Sequence, residues 1–171
     1  MSRVRELKGR DGAKPLIVLV PSRRGAVGLR WTPVAEALAE AFWPGPLTLV
    51  LGDPDEVFPP EVGGGSGTVG VRVSPHPLVT RLLTALDGPL TSTSLNVTGE
   101  PPARTGGEAV EAVQRMRGQD VLVLDAGMLP QSTPSTVVDC TGGRPVVLRE
   151  GSVSVARLRG VVPEIHARQT A

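Results

Sequence analysis

The chain has no tyrosine, and its only aromatic residues are Trp31, Phe42, Trp43 and Phe58, all in apolar surroundings. Four such residues cannot make a platform on which nucleic-acid bases stack, so recognition of that kind is excluded. One cysteine, Cys140, rules out an intrachain disulfide and a cysteine-built zinc cluster. At the end of an apolar run, it reads as a small buried hydrophobe. No apolar stretch approaches the roughly 20 residues of a membrane helix, and Met1-Ser2-Arg3 leads into charged residues, so a cytoplasmic protein without a membrane partner is expected. Neither sign of charge dominates: 18 basic residues face 17 acidic ones, which leaves no broad field for wrapping nucleic acid. Lysine is nearly absent too. Lys8 and Lys14 are the only two, and their nearness in the chain is the first mark of a site.

What is present suggests one α/β domain. With 171 residues, 40% of them hydrophobic, the chain can bury one sizeable core, and a single domain over 1–171 with a frayed end from 166 is expected. Short apolar runs punctuated by Gly and Pro predict strands at 16–20, 47–51, 69–73, 90–94, 121–124, 136–140 and 146–148. Helical spacing falls at 31–42, with Thr32 as cap and Pro33 in the first turn, and at 76–86, 108–116 and 155–161. Strands interleaved with helices predict a twisted, open, mixed sheet, largely parallel, with helices packed on it and ligands at the strand ends.

Several polar groups stand at the ends of these runs. Lys8-Gly9-Arg10 and Lys14 put three cations ahead of the first strand, where they fit a phosphate clamp or a solvated basic terminus. Alternation puts Ser92, Ser94 and Asn96 on one side, suited to a neutral hydrogen-bonding site or to simple turn chemistry. Ser135 and Thr136 repeat that device, and Arg149 follows the next strand. Arg72 lies inside an apolar strand and must reach either solvent or an anion, with Thr68 at the same strand's start. His76 reads as a helix cap, and His166 has no assigned role. The glycines from 63 to 67 precede a strand rather than open a helix, so they read as a flexible loop. Asp53, Asp55 and Glu56 read as solvated acids, and no metal-ligand spacing is visible.

In order along the chain, Lys8-Gly9-Arg10 with Lys14-Pro15-Leu16-Ile17-Val18, then Phe42-Trp43-Pro44-Gly45-Pro46-Leu47-Thr48-Leu49, then Val69-Gly70-Val71-Arg72-Val73 with His76-Pro77, are similar to segments of the YrdC-type threonylcarbamoyl-AMP synthases. Ser94-Leu95-Asn96, Pro134 to Asp139 and Leu148-Arg149-Glu150-Gly151 continue the resemblance. It implies a YrdC-like fold and a reaction of L-threonine, bicarbonate and ATP, with Mg²⁺ carried by the nucleotide, to give threonylcarbamoyl-adenylate. That product would serve partner proteins in tRNA threonylcarbamoyladenosine modification. The resemblance implies that Lys8 and Arg10 are the catalytic cations at the phosphates. By the same resemblance Arg10, Lys14, Thr68, Ser94, Asn96 and Arg149 would contact ATP, and Arg72, Ser92 and Ser135 would hold threonine.

The family normally opens with a strand and loop of the type Pro-Thr-(Asp/Glu)-Thr-Val-Tyr-Gly-Leu, and this chain starts after it. Leu19 stands where many members have histidine, and a serine that several members place near Pro102 is missing. From these departures follow the expectations of an exposed sheet edge through which two copies associate, and of a chain that is either shortened or not catalytic. The alternatives to a synthase are an RNA-binding or ribosome-associated protein and a silent nucleotide-binding homologue.

Overall fold

The computed structural model describes residues 2–9 and 15–168. The elements run α1 (Ser2–Leu7), β1 (Ile17–Leu19), a 3₁₀ turn (Arg23–Ala26), α2 (Pro33–Phe42), β2 (Leu47–Gly52), β3 (Thr68–Arg72), α3 (Pro77–Leu86), β4 (Leu90–Ser92), α4 (Gly106–Arg115), β5 (Thr136–Asp139), β6 (Val146–Arg149), α5 (Val155–Arg159) and β7 (His166–Ala167). The chain forms two compact units: Met1–Lys14 with Thr93–Ser132, and Pro15–Ser92 with Thr133–Ala171.

The larger unit holds all seven strands, in the order β4-β1-β3-β2-β5-β6-β7. The sheet is mixed. It is not largely parallel: β1–β3, β2–β5 and β6–β7 are parallel, while β1–β4, β2–β3 and β5–β6 are antiparallel. Side chains alternate across a strand, so register assigns each residue to a face. One face carries Val18, Leu47, Leu49, Leu51, Val69, Val71, Val138 and Val147, all buried. The other carries Ile17, Leu19, Gly70, Arg72, Val137 and Ser92, all half-buried.

Helices in this unit start as their sequences dictate. The Thr32 hydroxyl accepts from Ala35 N at 3.1 Å, Pro33 occupies the first turn, and Ala35, Leu38 and Ala39 are buried. Such a cap contributes about 1 kcal/mol. His76 caps α3, its Nδ1 accepting from Leu78 N at 3.2 Å. Cys140 is buried at the end of β5, as expected. His166 and Ala167, placed by sequence in a frayed end, pair with Val146 and Val147 as β7.

The smaller unit has helices α1 and α4 and no strand among its described residues. Thr105 caps α4 and Ala109 and Val113 turn inward. The strand expected at 121–124 does not form. Among the described residues Leu122 to Ala126 make no main-chain hydrogen bond, and Leu122 is 93% exposed. Alternation of valine and leucine supplies a strand's side chains but not the neighbour that a ladder needs.

Candidate functional site

In the sheet unit the site candidates Thr68, Arg72, Ser92, Ser135 and Arg149 share the face opposite the apolar one, by alternation and register. They do not share one end of it. Thr68 opens β3 and Arg72 closes it, four residues or roughly 13 Å away. Ser92 pairs with Ile17, at the level of Gly70 between them.

Arg72 and the β5–β6 hairpin define the better-built end. Arg72 Nε donates to Gly45 O at 2.9 Å, and among the described residues no carboxylate pairs with this guanidinium. Burial pushes its pKa below the usual arginine value. Gly45 has no room for a side chain, since a Cβ there would stand 2.2 Å from Phe42 O. On the neighbouring strand β1, Leu19 sits directly beside Arg72 and adds no polar group.

Three strands over from Arg72, Arg149 donates to Ser135 O from Nη2 at 2.8 Å and from Nε at 3.2 Å, and Nη2 lies 3.3 Å from Ser135 Oγ. Ser135 Oγ is in turn 2.9 Å from the Thr48 hydroxyl. The loop that carries Arg149 onward is pinned from the opposite face by Thr136, which is fully buried. Its hydroxyl donates to Val153 O at 2.6 Å and accepts from Gly151 N at 2.9 Å and Val153 N at 3.0 Å. Gly151 has no room for a side chain there, since a Cβ would fall 2.1 Å from Pro134 O. Sequence reasoning noted Thr136 as a hydroxyl at a strand's mouth and overlooked Thr48. The available signal was a hydroxyl flanked by leucines and valines, which must find a partner once buried.

The smaller unit carries its own cluster. Lys8 follows α1 and is only 6% exposed; it donates to Ser94 O at 2.9 Å and to both Asn96 O and Asn96 Oδ1. Ser94 Oγ also donates to Asn96 Oδ1, Asn96 Nδ2 donates to Glu100 O, and Thr98 Oγ1 donates to Lys8 O at 2.9 Å. Lys8, read in sequence as part of a phosphate clamp or a solvated basic terminus, is the anchor of the 94–98 turn. Arg10 and Lys14 lie outside the described residues. In the same unit Arg3 and Asp120 form an exposed ion pair in which the arginine holds the carboxyl below its ordinary range.

Asp53 is not solvated as expected. Buried, it accepts from Val57 N at 2.8 Å and Phe58 N at 3.0 Å, one on each carboxylate oxygen, and so shapes the 53–58 loop. The glycine loop that follows is a set of turns, with Ser66 Oγ bonded to Gly63 O and Thr68 Oγ1. Among the described residues no group of three or more His, Cys, Asp or Glu could hold a metal, and no helix is long and apolar enough to cross a membrane.

A mixed sheet with one apolar face and, on the other, guanidiniums and hydroxyls defines an α/β protein able to receive an anion at the ends of its strands. The chain belongs to the Sua5/YciO/YrdC family, described as "Telomere recombination", which it matches over residues 1–151. It is similar to the threonylcarbamoyl-AMP synthase of Pyrococcus abyssi, at 34% identity over 167 residues, covering 96% of this chain and 48% of that protein. With the threonylcarbamoyl-AMP synthase of Thiobacillus denitrificans it shares 34% identity over 150 residues, covering 84% of this chain and 75% of that one. The crystal structure of P. abyssi Sua5 complexed with L-threonine superposes with a TM-score of 0.89 at 34% identity, over 98% of this chain and 48% of that one. The chain thus spans about half the length of the Pyrococcus relative.

Proposed function

We propose that this chain forms threonylcarbamoyl-adenylate from L-threonine, bicarbonate and ATP, in the cytoplasm, and hands it to proteins that modify tRNA with threonylcarbamoyladenosine. In that reaction an oxygen of the threonyl carbamate attacks the α-phosphorus, a new P–O bond forms, and the bond to the β-phosphate's bridging oxygen breaks to release pyrophosphate. Charge gathers on phosphate oxygens throughout, so the protein's contribution is to place cations and neutral donors against them and to hold the carbamate in line. Mg²⁺ would arrive with the nucleotide.

The observation that carries the reading is Arg72, a half-buried cation with no acidic partner among the described residues. Such a group is costly unless an anion meets it, and the threonine carboxylate is that anion. Ser92 and Ser135 are assigned to threonine as well. Lys8 and Arg10 are assigned to the phosphates, and Lys14, Thr68, Ser94, Asn96 and Arg149 to ATP. Lys8 also supports Ser94 and Asn96 directly, so one residue serves both charge and shape there.

Pyrophosphate release from ATP, with and without L-threonine and bicarbonate, tests the reading. Arg72→Gln should raise the threonine requirement at least about tenfold, the order expected when a charge-assisted hydrogen bond is lost. Binding of an ATP analogue without threonine-dependent release would favour a nucleotide-binding homologue instead. Neither binding nor release would end the proposal.

A further inference from the structure

The pair formed by Thr48 and Ser135 has one hydroxyl proton more than the single bond between them uses. Each hydroxyl carries one proton and two lone pairs. The two oxygens are 2.9 Å apart, and Arg149 Nη2, which can only donate, is 3.3 Å from Ser135 Oγ. Among the described residues Thr48 Oγ1 has no partner besides Ser135. One bond between two hydroxyls uses one proton, and the other is left over.

Burial decides which. Thr48 is 1% exposed and Ser135 5%. Were Ser135 the donor, the Thr48 proton would be stranded inside the sheet with no acceptor, which buried donors avoid. The Thr48 rotamer is also held in place. Thr48 is β-branched, and a buried β-branched residue in a strand has little χ1 freedom. Thr48 therefore donates to Ser135. With one lone pair filled by Thr48 and the other by Arg149, Ser135 keeps a proton to give and nothing with which to accept. That proton sits beside a guanidinium, where an anionic oxygen would settle.

We propose that Thr48 is a positioning residue that fixes the Ser135 hydroxyl as a hydrogen-bond donor, so that the ligand atom meeting Ser135 is an acceptor oxygen, of the carboxylate type. The proposal rests on the reading of Ser135 as a threonine contact, and goes beyond it by setting the direction of that contact and the residue that sets it.

Calorimetric titration of L-threonine into the chain and into Thr48→Val, Thr48→Ser, Ser135→Ala and the Thr48→Val/Ser135→Ala double variant tests it. Thr48→Val keeps the shape and removes the donor, and should weaken threonine binding about tenfold, as loss of one hydrogen bond implies. Thr48→Ser should restore binding to within about twofold, and the double variant should be no weaker than Ser135→Ala alone, because Thr48 acts through Ser135. An ATP analogue should bind Thr48→Val as it binds the parent; a variant that had merely lost its shape would lose both ligands. Should Thr48→Val fail to fold, Thr48→Cys, a weak donor of similar size, is expected to fall between parent and Ser135→Ala. Threonine binding unchanged in Thr48→Val, or effects of the two substitutions that add, overturns the proposal while leaving Ser135 as a contact. Unchanged binding in Ser135→Ala, or no threonine binding by the parent chain, overturns the underlying reading and the proposal together.

Discussion

The two units hold their shape by different means. In the sheet unit the ladder does the ordering: Leu47, Leu49 and Leu51 on β2 are fully buried between strands on both sides, and polar groups are added to a backbone already fixed. In the unit of α1 and α4 there is no ladder among the described residues, and beyond the main-chain bonds from Glu100 N to Val97 O and from Ala103 N to Leu95 O the chain from 94 to 100 is held by side chains, with Lys8 at the centre. An apolar cavity of about 220 Å³ lies beside that lysine, among Val4, Leu7, Leu95, Val113 and Met116. The difference teaches that a charge can do structural work where hydrophobic burial is thin. A lysine that looks like a ligand contact in sequence is also the keystone of a turn.

The sharpest way to break the contrast is to attack each unit at its own support. Leu49→Ala should destabilise the sheet unit by about 2–5 kcal/mol, the usual cost of a cavity at a fully buried leucine, read from urea denaturation. Lys8→Met should cost less, about 1–3 kcal/mol, because the acceptors at Ser94 and Asn96 lose their donor. Hydrogen exchange should quicken in residues 94–100 and stay unchanged in β2 and β5. An equal response in both would contradict the contrast.

A third measurement concerns the sheet unit's burial directly. Burial, and then the nearby Asp139 charge, push the Cys140 thiol up to about 12 from its ordinary 9.0. The unfolded chain ionises this thiol first, so its contribution to stability is intact below pH 9.0 and falls as the pH rises from there towards 12. Native protein at pH 8 should resist alkylation by iodoacetamide until it is denatured. The smallest effect belongs to the other unit: Leu122→Ser, at a side chain almost entirely in solvent, should shift the unfolding midpoint by no more than about 0.5 kcal/mol equivalent.

Local rules were legible in the sequence wherever one residue settled the matter. Thr32 and His76 cap helices from the positions their residue types suggest, and Cys140 is buried at a strand's end. The balance of parallel and antiparallel pairs was not legible, because it depends on which strands become neighbours rather than on any strand's own pattern. Val121 to Leu124 shows the same limit, with the alternation of a strand and no partner. At the site, Arg72 stood out because an arginine inside an apolar run is anomalous by itself. Thr48 did not, because its meaning comes from Ser135, 87 residues away in sequence. Asp53 misled for a related reason: acids between prolines are usually solvated, and only the folded loop shows the two amides that fill its oxygens.

The sheet's two terminal strands are short, three residues in β4 and two in β7. A neighbouring molecule that extended the ladder at either end would gain only two or three residues' worth of main-chain hydrogen bonds, too few to template growth. Dimerisation by that route would be feeble and dilution-sensitive, and concentrated solutions of the protein should stay clear of fibrils.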